Sequence, residues 1–151
     1  MAEPRDHDGD PPLSVIRLRV RYPETDRMGV AYHGHYLAWF ELGRTELMRE
    51  AGCPYGELED RAALFFPVVE VGVQYRASAR YDEVLEVRTW LVSVGGARVR
   101  FEYRLVRPAD DRVLALGFTE HAAVGPDGRP VRLPNDLRDR LRSRVALADP
   151  S

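Results

Sequence analysis

The chain has 151 residues, 24 acidic and 22 basic side chains for a formal net charge of -2, and 44% hydrophobic residues. That length suits one domain able to bury its own core, and the near balance of charge argues against a nucleic-acid binder, which would carry a basic excess. No apolar run reaches membrane-spanning length, and the start Met1-Ala2-Glu3-Pro4-Arg5-Asp6 lacks the charged-then-apolar order of a secretory signal, so a cytoplasmic location is expected.

In chain order, residues 1–12 are rich in Asp, Gly and Pro and are expected to form a flexible tail outside the core. Over 15–22, Ile16, Leu18, Val20 and Tyr22 alternate with Arg17, Arg19 and Arg21, the period of a strand with one buried face. A loop carrying Asp26 follows. Then Tyr36, Leu37, Phe40, Gly43, Leu47, Met48 and Ala51 recur at helical spacing until Gly52 and Pro54 end the run, which predicts a helix of about four turns. Ala38, Trp39 and Leu42 make its first half apolar around much of its circumference, as expected where a curled sheet wraps it. Gly43 costs about 1 kcal/mol there relative to alanine, so it is expected to permit a close crossing with a strand or a partner helix.

Strands are predicted over 65–75, 84–94, 98–106 and 113–124, separated by turn-forming clusters at 79–82, Gly95-Gly96 and 108–111. Within them Val99, Phe101, Tyr103 and Leu105 alternate with Arg98, Arg100, Glu102 and Arg104, giving one dry face and one wet or partner-facing side. A short final helix follows, with Asn135 or Asp136 as its cap and Leu137, Leu141 and Val145 on one side. Its arginines 138, 140, 142 and 144 read as a solvated face. The plan is α+β: one long helix and a meander of strands in a single domain over 13–145, with a second tail at 146–151.

Every basic side chain is arginine. The guanidinium fork suits phosphates and carboxylates, but a composition bias accounts for the usage more simply. Cys53 is the sole cysteine, so no internal disulfide forms, and Gly52-Cys53-Pro54 reads as a helix-ending turn in preference to a nucleophile site. His33 and His35 form an H-x-H pair near Asp26, but a third ligand would have to come from distant His7 or His121, so no metal is expected. Phe65, Phe66, Trp39 and Tyr75 either line an aromatic pocket or pack the core, and core packing is the default.

Asp26 is open to two readings. Thr25-Asp26 ahead of Gly29 can be a plain turn whose carboxylate bonds nearby backbone N–H groups. Alternatively, a carboxylate beside the first turn of an apolar helix faces unpaired N–H donors and the positive end of the helix dipole, an arrangement suited to attack on an acyl group.

The run Tyr22-Pro23-Glu24-Thr25-Asp26-Arg27-Met28-Gly29-Val30-Ala31-Tyr32-His33-Gly34-His35-Tyr36, followed by Phe40-Glu41-Leu42-Gly43-Arg44-Thr45-Glu46, resembles the 4-hydroxybenzoyl-CoA thioesterase family of the hotdog fold, including its bacterial acyl-CoA thioesterases. The resemblance continues through Phe66-Pro67-Val68-Val69, the segment from Val73 to Glu83 and Gly95-Gly96, covering about 15–133. It implies a curled antiparallel sheet wrapped around one long central helix. It also implies an acyl-CoA thioesterase needing no cofactor, with Asp26 as nucleophile or general base. The backbone N–H at His33 would polarise the thioester carbonyl; the imidazole would aid proton transfer to the thiolate or pack at a subunit contact. Basic residues for CoA are expected near the hairpin between the third and fourth strands. Arg98 stands there, with Arg76 and Arg80 in the preceding turn.

Glu41 and Glu46 are reserves, because a second hotdog lineage keeps its catalytic glutamate on the helix. The family builds its pocket between subunits, so a homo-oligomer, dimer or tetramer, is implied. A non-catalytic acyl-CoA-binding sensor or accessory subunit is the alternative. A hotdog dehydratase or hydratase ranks third, since its His-Phe-Pro signature is missing.

Overall fold

The structure, a computed structural model, describes residues 3–4 and 7–145. Five strands, β1 (Ser14–Arg19), β2 (Val68–Tyr75), β3 (Val84–Val94), β4 (Arg98–Arg107) and β5 (Arg112–Ala122), form one antiparallel sheet in the order β1-β3-β4-β5-β2. It is an open, curled sheet with β1 and β2 as its edges. Helix α1 (His35–Glu50) lies on the concave face, α2 (Tyr55–Ala62) follows it, and α3 (Asn135–Arg142) closes one end. This is the hotdog arrangement.

The alternation that predicted the strands sorts their side chains. Leu85, Val87, Val99, Phe101, Tyr103 and Leu105 are buried with Tyr36, Trp39, Phe40, Leu47 and Met48 of α1 in a single core cluster. Phe40 stacks on Tyr103 with ring centroids 4.5 Å apart. Gly43 is where the helix meets the sheet: a Cβ there would stand 2.5 Å from Thr89 Oγ1 and 2.8 Å from Val87 Cγ1. The close crossing expected at this glycine is therefore with β3.

Several element bounds differ from the sequence reading. The first strand ends at Arg19, and Tyr22–Glu24 forms a 3-10 turn because Glu24 folds back to accept the Arg21 N–H at 2.7 Å. Helix α2 was not anticipated; its eight residues bury no side chain fully, so its apolar signal is weak. The second strand starts at Val68, with Phe65 held only by an isolated bridge to Val124. On α3 the N-cap is Pro134 without a side-chain cap bond, and Asn135 instead accepts from the Arg138 guanidinium at 2.8 Å.

The described part of the 1–12 segment does not stand clear of the domain. His7 is 4% exposed; its ring stacks on Trp90 at 4.2 Å and donates to the Glu102 carboxylate at 2.7 Å, on the convex face of the sheet. The 146–151 tail lies outside the described residues. Among the described residues no helix is long and apolar enough to cross a membrane.

Candidate active site

Asp26 sits in a turn built by its neighbours. Its Oδ1 accepts the Met28 N–H at 2.8 Å, its N–H donates to Val30 at 2.9 Å, and its carbonyl accepts from Gly29 at 3.0 Å. Gly29 takes φ +77°, a left-handed conformation that glycine adopts without steric cost. The turn reading of Asp26 is thus structurally real, but it engages one carboxylate oxygen only. Among the described residues Oδ2 accepts no hydrogen bond.

The loop is anchored from beneath. Glu24, 6% exposed, accepts both the Arg21 N–H and the Trp39 indole N–H, the latter at 2.9 Å. Burial alone would raise its carboxyl, but those two hydrogen bonds and the Arg21 charge together hold it below its ordinary value. Ala31 donates to Ala79 at 2.7 Å and Tyr32 to Glu24 at 2.9 Å, tying the loop to the turn before β3. Trp39 therefore packs the core and steadies the loop in one side chain.

Helix α1 begins at His35 with Gly34 as an N-cap that supplies no side chain. Among the described residues the N–H groups of His33 and Gly34 donate to no acceptor. Such orphan donors at a helix start carry partial positive charge. Tyr75, half-exposed on β2, donates its hydroxyl to the His33 carbonyl at 2.9 Å and so fixes the peptide that carries the Gly34 N–H. Burial raises the Tyr75 hydroxyl pKa, with Tyr36 and Tyr32 adding to the effect, which keeps it a donor. The His33 ring is exposed, 4.3 Å from Tyr32 and 6.0 Å from Tyr75 between centroids.

Asp26, His33, Tyr36, Tyr75, Arg76 and Ser78 line one cleft of about 360 Å³ at the start of α1. The tertiary structure thus adds Arg76, which the sequence reading had placed apart as a CoA contact, to Asp26 and His33, which that reading had already joined. Arg80 is exposed beside the loop, where its backbone pairs with Val30 and its N–H donates to Glu83, and it does not line the cleft. Arg98 pairs with Ala122 at the other end of the sheet, seven residues along β5 from the Ala115 that pairs with Tyr75, or about 23 Å by the rise of a strand. Glu41 is exposed on α1, and Glu46 pairs with Arg49. Cys53 is buried, with its thiol donating to Ala51. Among the described residues no three His, Cys, Asp or Glu side chains stand close enough to hold a metal ion.

Two features escaped the sequence reading. Glu24 could have been found from its place three residues after Arg21 and just ahead of the Asp26 turn. The second is a buried polar chain behind α1: His121 bonds the Phe66 carbonyl at 2.9 Å and Thr119 at 2.9 Å, and Thr119 bonds the Tyr103 hydroxyl at 2.5 Å. Its members alternate on β4 and β5, where sequence shows only inward-facing positions.

A wrapped helix whose amino end faces a loop aspartate across a cleft defines the hotdog thioesterase class. The chain belongs to the thioesterase-like superfamily, whose family model matches residues 20–141. It is 39% identical over 122 residues to the acyl-CoA thioesterase YbgC of Haemophilus influenzae, covering 80% of this chain and 88% of that protein. The acyl-CoA thioester hydrolase YbgC of Escherichia coli O157:H7 is likewise 39% identical, with 80% and 89% covered. Among solved structures, the DHNA-CoA thioesterase of Staphylococcus aureus superposes with a TM-score of 0.81 at 30% identity, covering 86% of this chain and 89% of that one. The hypothetical protein TT1821 of Thermus thermophilus superposes with a TM-score of 0.80 at 42% identity, covering 87% and 96%.

Proposed function

We propose that this thioester hydrolase cleaves an acyl-CoA with water to a free carboxylic acid and CoA, using Asp26 as the reacting carboxylate. The observation that carries the reading is the free Asp26 oxygen in a cleft at the start of α1, where the His33 and Gly34 amides lack acceptors. The thioester carbonyl oxygen points at those amides, which stabilise the negative charge that develops on it. Asp26 then acts by one of two routes. Either its oxygen attacks the carbonyl carbon, the C–S bond breaks with the electron pair leaving on the CoA sulfur, and water hydrolyses the resulting mixed anhydride; or it takes a proton from a water that attacks directly. Both routes use the carboxylate and end with a protonated thiol.

The working unit in this reading is a homodimer joined along β2, and two such dimers make a tetramer. Strand β2 is an edge with exposed Val68, Val69 and Val71, each between 44% and 47% exposed, beside the Tyr75 that borders the cleft. A long apolar edge is a template for pairing, and a monomer leaves it uncovered. Arg76 lines the same cleft, and in this reading its guanidinium meets the CoA portion.

The test is CoA release from short, medium, long and aromatic acyl-CoA thioesters by the wild type and by Asp26→Asn at matched folding. Asp26→Asn is expected to lower kcat by on the order of 100 to 10000-fold while acyl-CoA binding persists. Equal turnover in the variant would remove Asp26 from the chemistry. A wild type that binds acyl-CoA but releases none would make the protein a sensor or accessory subunit.

A further inference from the structure

Tyr36, in the first turn of α1, is 2% exposed, and its side chain lines the Asp26 cleft. Its ring stacks on Trp39 with centroids 5.1 Å apart and meets Tyr75 edge-on at 5.0 Å. Both neighbours already hold the site, Trp39 through Glu24 and Tyr75 through the His33 carbonyl. The phenol oxygen accepts the Ala79 N–H at 3.1 Å, and the Ala79 carbonyl in turn accepts the Ala31 N–H of the Asp26 loop at 2.7 Å. The hydroxyl therefore reaches the segment whose Ala77 and Ser78 also line the cleft.

A hydroxyl has one proton to donate and two lone pairs that accept. At Tyr36 a lone pair is engaged, while among the described residues the proton goes to no acceptor. A buried donor in that state is unfavourable, and the bond its oxygen receives strengthens it as a donor. Burial raises the pKa of the hydroxyl, the Ala79 N–H opposing and the Glu83 charge adding to the rise, so it stays protonated where the Asp26 carboxylate is ionised. One cleft of about 360 Å³ thus holds a free donor at Tyr36, a free acceptor at Asp26 Oδ2 and space for a water beside a substrate.

We propose that Tyr36 is the positioning residue for the hydrolytic water, its hydroxyl donating to the water oxygen while Asp26 Oδ2 accepts a water proton. The inference rests on the acyl-CoA reading above and takes its direct-attack route. The remaining lone pair of the water forms the C–O bond to the thioester carbon as the proton passes to Oδ2. The C–S bond then breaks with its electron pair leaving on sulfur, and the proton moves on from Asp26 to the thiolate. Tyr36 keeps its own proton throughout and fixes the direction of attack.

Tyr36→Phe removes the hydroxyl and keeps the packed ring. Wild type and variant are each given the acyl-CoA that the wild type turns over fastest, together with hydroxylamine, an amine that attacks a thioester without first giving up a proton. Free acid and hydroxamate are measured in the same sample. The variant is expected to lose about 10 to 100-fold in hydrolytic kcat with KM within about twofold of wild type, and its ratio of hydroxamate to acid should rise about tenfold. Both products come from one folded population, so any loss of folded protein caused by leaving the Ala79 N–H without its acceptor does not move the ratio.

Equal falls in acid and hydroxamate would give Tyr36 a structural role alone and overturn the proposal, as would a hydrolytic kcat within about twofold of wild type. Full turnover by Asp26→Asn would sink the Asp26 chemistry and this inference with it. Full turnover by Tyr36→Phe alone would sink only this inference and leave Asp26 in its role.

Discussion

Asp26 commits one of its two oxygens to structure. Oδ1 closes the turn by accepting the Met28 N–H, while Oδ2 accepts no hydrogen bond among the described residues. The amide at His33 is a backbone donor, so His33→Ala keeps it, and kcat is expected to stay within about tenfold of wild type; a fall on the scale of a lost general acid, about 100-fold or more, would give the role to the imidazole. His121 makes a separate residue-scale prediction. Burial, with the Arg44 charge adding to it and the Phe66 carbonyl opposing, pushes its pKa down from 6.5 to about 4. Between those values the unfolded chain binds a proton that the folded chain does not, so stability falls as pH drops from about 6.5 toward 4. Urea unfolding midpoints measured across that range should decline in the wild type and decline less in His121→Gln.

At the scale of elements, α1 is positioned by the one residue in it without a side chain. Alanine favours a helix over glycine by about 1 kcal/mol, but a Cβ at 43 collides with Thr89 and Val87. The clash is expected to win, since overpacking costs about 1 to 3 kcal/mol and the obstacle is a rigid β-branched pair. Gly43→Ala should therefore lower the urea midpoint, and a rise would show that α1 can shift away from β3. Because the same helix carries the His33 end of the cleft, the variant should also lose kcat. Strand β2 contributes Tyr75 to that end, and Arg76, the residue just after the strand, lines the same cleft.

For the molecule as a whole, the exposed apolar edge of β2 is the feature that a monomer does not explain. A charge on an edge strand opposes pairing, so Val71→Lys is expected to shift sedimentation from dimer toward monomer and to reduce acyl-CoA turnover with it. A variant that remains dimeric would place the interface elsewhere. The opposite edge, β1, is less apolar: Arg17 and Arg19 face outward there and pair with Glu86 and Asp82.

Period and turn chemistry in the sequence determined the α+β plan, the long helix, three of the five strands nearly to their ends, and Asp26 as the residue to watch. These are local signals: alternation reports a face, and Gly29 or Gly52 reports a turn. Helix α2 was not legible because it buries no side chain fully, and the packed arm at His7 was not because polar, proline-rich composition resembles disorder until Trp90 is placed beneath it. Only the tertiary structure decided where each arginine stands relative to the cleft. Arg76, Arg80 and Arg98 look alike in sequence, yet strand register sets Arg76 at the cleft, Arg80 outside its lining, and Arg98 at the far end of the sheet. It also paired Arg104 with Asp8, a contact spanning 96 residues, whose existence depends on long-range packing that no window of sequence contains.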